Sequence, residues 1–148
     1  MNKIFTIGFT KKSAERFFTL LEDNNIWCVI DVRFNNMRQL AGFTKYPDIK
    51  YFLNRIANID YVHDKNLAPS PEILTAYRNK QIDWAGYVDA FNKLMKSRNI
   101  INYVTEHYGS FADCCLMCSE EKPDFCHRRI LAELLSEQIE ELEIIHLI

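Results

Sequence analysis

Ile26-Trp27-Cys28-Val29-Ile30-Asp31-Val32-Arg33 is the stretch that decides the fold class. Its unbroken apolar opening suits a strand covered on both faces, as in a parallel sheet, and its Asp31-Val32-Arg33 end marks where that strand emerges. Parallel neighbours must be joined by crossovers, usually helices. Upstream, Lys3 to Phe9 reads as a short apolar strand, and Ser13 caps a helix carrying Phe17, Phe18, Leu20 and Leu21 until Asn24 and Asn25 stop it. Downstream, the loop Phe34 to Tyr46 is long for a compact domain and so suggests a binding segment. Pro47 opens a helix with Ile49, Phe52, Leu53 and Ile56 as its inward stripe, and Ile59 to His63 forms a third strand. Ser70 and Pro71 start another helix; one more begins near Asp83 and buries Tyr87, Val88, Phe91, Leu94 and Met95. Whether Ile100 to His107 continues it stays open. Phe111 to Glu120 is a fourth strand, Cys126 to Gln138 a helix and Leu142 to Ile148 a closing strand.

Strands alternating with helices predict a three-layer α/β fold, a largely parallel sheet of about five strands flanked by helices, joined by right-handed crossovers. The 148 residues make one domain's worth of chain, and 48% apolar content can fill a core without disulfides or a structural metal, so a single domain over residues 1–148 is expected. With 26% charged residues, four Gly and four Pro, low complexity and disorder are excluded. Lys11 and Lys12 break the first apolar run before it resembles a secretion signal, and no segment approaches the ~18 apolar residues of a membrane span. The expectation is a soluble, cytoplasmic protein with no membrane partner. Its five cysteines then read as free thiols or ligands.

The net charge of −2 hides an asymmetry: no Lys or Arg follows Arg129, while Glu133, Glu137, Glu140, Glu141 and Glu143 fill the end of the chain. The rest is mildly positive. That balance permits an anionic ligand but lacks the strongly basic patch of a typical nucleic-acid binder.

Ligands of open α/β sheets bind at the carboxyl ends of the strands. Four polar clusters fall there: Gly8-Phe9-Thr10, Asp31-Val32-Arg33, His63 to Pro69, and Cys118-Ser119-Glu120 leading into Cys126-His127-Arg128. In an extended strand Cys118 and Glu120 share a face. With Asp124 as N-cap, Cys126 and His127 occupy the first helical turn, where the helix dipole lowers a thiol's pKa. Ile130, Leu131, Leu134 and Leu135 define the buried face of that helix, with His127 near its centre and Cys126 and Arg128 flanking it within reach of the rim. Arg129 points to solvent. Cys28, Cys114 and Cys115 suit core packing, a role that Cys118, Cys126 and a satisfied buried His127 could also fill. Asp31 and Arg33 lie on one strand face, either as a plain ion pair or as a pair that aims the guanidinium at an anion. His63 is a spare acid/base candidate. Neither phosphate-loop glycine pattern occurs, so common nucleotide cofactors are unsupported, and the Tyr and Phe residues between positions 43 and 61 read as packing.

These residues resemble the bacterial and archaeal family catalogued as domain of unknown function 488: a strand ending in Gly8, Asp31-Val32-Arg33, Leu67-Ala68-Pro69, Leu116-Met117-Cys118-Ser119-Glu120 and Cys126-His127-Arg128, in order along the chain. The Cys-x-Glu and Cys-His-Arg pair is the most specific part. The resemblance implies an α/β fold and a shared polar site built from Gly8, Asp31, Arg33, Cys118, Glu120, Cys126, His127 and Arg128, without an established reaction. This chain departs from many relatives at Phe9-Thr10, Phe34-Asn35-Asn36 and Leu67-Ala68-Pro69.

The leading expectation is a thiol-dependent enzyme acting on an anionic substrate, related to nucleotides or nucleic acid. Cys126 serves as thiolate, Cys118 as partner thiol, Glu120 or His127 as acid/base, Arg33 with Arg128 as anion clamp, and Gly8 and Asp31 on the substrate side. One alternative is a non-catalytic phosphate or nucleic-acid binding module. Another is a metal-dependent hydrolase using Cys118, Cys126 and His127, although a seven-residue gap between the cysteines is poor zinc-site spacing and no metal ligand is assigned. Sequence leaves open the substrate, any cofactor, the oligomeric state, the role of the loop Phe34 to Tyr46, and whether Cys118 and Cys126 form a disulfide.

Overall fold

A computed structural model describes residues 2–37, 42–109 and 112–148. In chain order the strands are β1 (Asn2–Gly8), β2 (Cys28–Asp31), β3 (Asp60–His63), β4 (Cys114–Cys118) and β5 (Leu142–Leu147), and the helices are α1 (Ala14–Asp23), α2 (Asp48–Ala57), α3 (Pro71–Arg78), α4 (Trp84–Ser97), α5 (Ile100–Tyr108) and α6 (His127–Gln138). All strand pairings are parallel, in the order β3-β2-β4-β1-β5. The three-layer α/β expectation holds.

The period of two divides each strand between two cores. Ile30, Cys114, Leu116 and Cys118 enter one with Phe91, Met95, Val104, Leu131 and Leu135 from α4, α5 and α6. Phe5, Ile7, Val29, Cys115 and Met117 enter the other with Phe17, Leu21, Ile49 and Leu53 from α1 and α2. Cys28, Cys114 and Cys115 are thus core residues, as expected, and all five cysteines are free and buried. Ser13, Ser70 and Asp83 cap α1, α3 and α4 through their side-chain oxygens.

Three readings differ from the expectation, and one left open is settled. Ile56 is 50% exposed, because α2 packs over the sheet edge at β3 and buries only Ile49 and Leu53. β2 is regular only over Cys28–Asp31, although the Trp27 and Val32 backbones still bond the neighbouring segments, and the half-exposed Trp27 side chain donates from Nε1 to the Ala112 carbonyl at 2.6 Å. α5 is separate from α4, the chain turning at Asn99 in the left-handed region (φ 51°). β4 stops at Cys118, so Cys118 and Glu120 do not share a strand face; Phe111, where that strand was expected to open, lies outside the described residues. No helix among the described residues is long and apolar enough to cross a membrane.

Phe91 is wholly buried, stacks against Tyr87 (6.4 Å) and meets the His127 ring at a tilt (5.6 Å, 43°), which ties the α4 core to the head of α6. Phe91→Ala is expected to destabilise the fold by about 3–5 kcal/mol, measured by urea denaturation.

Candidate functional site

At the carboxyl end of β4 the side-chain alternation leaves Cys118 on the α6 face of the sheet. The chain then loops to Cys126, which is the N-cap of α6. The expected cap, Asp124, lies outside the helix: Cys126 N bonds the Pro123 carbonyl at 3.1 Å, a tight turn that delays helix entry until His127. Cys126 has no capping oxygen, so its sulfur stands at the amino end of a twelve-residue helix. The Cys118 and Cys126 sulfurs and a ring nitrogen of His127 lie within 4.8 Å of one another, all three residues buried.

His127 Nε2 lies 2.7 Å from the Val32 carbonyl oxygen. A carbonyl only accepts, so Nε2 carries the hydrogen and, in the neutral ring, Nδ1 keeps its lone pair. Both ring nitrogens are 3.8 Å from the Cys118 sulfur. The imidazole is therefore satisfied in the core and lies beside a thiol.

The two thiols differ in ionisation. A hydrogen bond from the Cys126 thiol draws the Cys118 pKa below its ordinary value against the cost of burial, helped by the Ser119 backbone N–H and the Arg128 charge. Cys126 moves the other way: as donor to Cys118 and deeply buried, it stays protonated well above the usual thiol range. The surroundings thus favour ionisation at Cys118 and oppose it at Cys126.

Asp31 and Arg33 form a fully buried bidentate pair, Nε to Oδ1 at 2.8 Å and Nη2 to Oδ2 at 2.7 Å. Nη2 also donates to the Thr44 carbonyl at 2.6 Å, and the Tyr61 hydroxyl donates to Asp31 Oδ2. Burial and that carboxylate push the Tyr61 hydroxyl pKa up, so it remains a donor. Arg33 lies over the Phe9 ring and is only 3% exposed, and its Nη1 has no hydrogen-bond partner among the described residues. The plain ion-pair reading of Asp31 and Arg33 is the one the geometry realises.

Gly8 and Arg128 have a different place from the expected one. Arg128 has no exposed surface; Nη1 donates to the Glu120 carbonyl at 2.6 Å and Nη2 to that of Glu121 at 3.3 Å. It turns inward because α6 packs against both sheet and α4, which widens the buried face to include Arg128 and Ala132 with Leu131 and Leu135. The Glu120 carbonyl in turn occupies the space beside Gly8, where a Cβ would stand 1.5 Å from its oxygen. Gly8, Asp31 and Arg128 thus shape the site from behind, and the exposed Glu120 side chain stands at its rim.

In front of the thiols lies a cleft of about 600 Å³. Arg33, Cys118, Ser119, Glu120, Cys126 and His127 line the β-sheet side, with Phe34 and Asn35 from the long loop. The opposite wall, Tyr77 and Arg78 of α3, Trp84 and Tyr87 of α4, and Phe125, was not singled out from sequence. Phe125 directly precedes the Cys-His-Arg triplet, a signal that could have pointed to it. Residues 38–41 of the long loop lie outside the described residues; His63 donates from Nε2 to the Arg33 carbonyl (2.7 Å) and is not part of the cleft.

The family model for "Domain of unknown function DUF488" matches residues 13–135 of the 148. No curated protein and no solved structure matches the chain.

Two substitutions check this construction. Asp31→Ala leaves the buried Arg33 without its counter-charge and is expected to cost about 3–5 kcal/mol of stability in urea denaturation at neutral pH. Gly8→Ala forces the Glu120 carbonyl away and is expected to cost about 1–3 kcal/mol while changing the rate at which Cys118 is alkylated.

Proposed function

The chain belongs to the family of domain of unknown function DUF488, and from that premise we propose that it is a thiol-dependent enzyme acting on an anionic substrate held in the cleft. The observation that carries this reading is the juxtaposition at the cleft floor: two buried sulfurs and an imidazole within 4.8 Å, beside an arginine with an unpartnered Nη1. Cys118 is the nucleophile, Cys126 the donor that keeps it ionised, and His127 the group that holds or returns a proton through Nδ1. Arg33 Nη1 meets the substrate's negative charge. Arg128 and Gly8 act by fixing the β4–α6 loop and touch no substrate. Five free thiols suit a reducing, cytoplasmic setting.

A second reading is favoured by the same geometry. Two sulfurs and a nitrogen at this spacing, with Nε2 donating to a backbone carbonyl, match a Cys₂His zinc site and its usual outer hydrogen bond, with the fourth position open to the cleft. It would supply a metal-activated water in place of a thiolate.

Alkylation of the native protein by iodoacetamide across pH, read residue by residue by mass spectrometry with and without chelator, separates the readings. The expected result is modification of Cys118 with an apparent pKa below the ~8.5 of a free thiol, Cys126 protected, and no effect of chelator. Cys126→Ala is expected to shift the Cys118 profile to higher pH, since it removes the donor. A Cys118 silent until unfolding sinks the thiolate reading, and reactivity that appears only when about one metal per chain is stripped replaces it with the metal site.

A further inference from the structure

The walls of the cleft indicate what kind of anion it holds. Five aromatic side chains line it, and internal packing accounts for most of them. Trp84 stacks on Tyr87 at 5.1 Å and 12°, and Tyr77 leans on both. The Lys65 ammonium lies over Phe34. Phe125 differs: it is 64% exposed and meets Trp84 edge-on, at 5.4 Å and 81°, so that it is braced in place while its surface stays in water.

Arg33 also lines the cleft, nine-tenths buried and more, its Nη1 without a hydrogen-bond partner among the described residues. A buried guanidinium edge with no acceptor is costly unless a ligand supplies one. Beside it stands the amino end of α6, uncapped by any side chain, which adds to the attraction for an anion. Arg78 also lines the cleft and, unlike Arg33, is not paired with a buried carboxylate. A cleft this size with few cationic groups suits a single phosphate better than a polyphosphate chain. The volume, about 600 Å³, is that of a small-molecule site.

We propose that the cleft selects a small phosphate monoester carrying a planar heteroaromatic ring, of the nucleoside 5′-monophosphate class, with the phosphate at Arg33 Nη1 and the head of α6 and the ring stacked on Phe125. The inference rests on the reading of the cleft as an anion site and is independent of whether a thiolate or a metal acts there. Every base has a face that can stack on an aromatic side chain, so the ring contact gives affinity with little choice among bases.

Calorimetric titration of the full chain with the four ribonucleoside 5′-monophosphates, their parent nucleosides and inorganic phosphate tests it. Monophosphates are expected to bind at least about tenfold tighter than either fragment. Phe125→Ala, an exposed position whose loss leaves the fold intact by circular dichroism, is expected to cost the monophosphates about tenfold and inorganic phosphate nothing. Arg78→Ala should weaken both. Inorganic phosphate binding as tightly as the nucleotides, an indifferent Phe125→Ala, or no nucleotide binding at millimolar concentration overturns the proposal. The same titration of Cys118→Ser keeps it distinct from the thiol reading, since nucleotide binding retained there stands whatever alkylation reveals.

Discussion

The buried guanidinium of Arg128 is the constraint from which the rest of the site follows. By holding the carbonyls of Glu120 and Glu121, it pulls the loop between β4 and α6 down onto β1, into the space that Gly8 leaves by having no side chain. The loop is thereby closed at both ends, on Cys118 and on Cys126. Their sulfurs meet as a consequence. A charge with no exposed surface is tolerated here because both terminal nitrogens find backbone oxygen, and backbone carbonyls, unlike a carboxylate, leave the positive charge uncancelled for Cys118 to feel.

A second buried cation sets the other side of the cleft by opposite means. Arg33 is neutralised by Asp31 in a bidentate pair that Tyr61 reinforces, and its bond to the Thr44 carbonyl draws the long loop against the sheet. Removal of either charge would strand the other in a medium of low dielectric, so the pair behaves as one unit. Its Nη1 has no hydrogen-bond partner among the described residues. The two arginines thus differ: Arg128 is held by backbone carbonyls beside the thiols, and Arg33 is held by a carboxylate at the edge of the cleft.

Local chemistry was legible in the chain. Ser13, Ser70 and Asp83 mark helix starts because a side-chain oxygen acts on a backbone N–H only a few residues on, with no help from distant segments. The apolar run through Cys28, Val29 and Ile30 marked a strand buried on both faces because side chains there must alternate into two cores. Ile56 and Asp124 were misread where neighbours decide: how wide a stripe α2 buries depends on its lying at the sheet edge, and where α6 begins depends on the Pro123–Cys126 turn. Arg128 was placed at the rim because its helix was read as packing on one side, whereas α6 is covered on two.

By itself the sequence determined an α/β fold, the carboxyl rim of its sheet as the place for a site, and the residue types at that rim: two cysteines, a histidine, a carboxylate and arginines. Those follow from periodicity and spacing, which are properties of short segments. Tertiary structure alone decided that the Cys118 and Cys126 sulfurs meet beside His127, that Arg128 faces inward, and that Phe125 and Trp84 line one cleft with Arg33. The strand order β3-β2-β4-β1-β5 is what makes the difference, since it sets β4 between β2 and β1 and brings Gly8 level with Cys118. Ionisation and ligand choice depend on which groups meet across that order, and no local pattern encodes it.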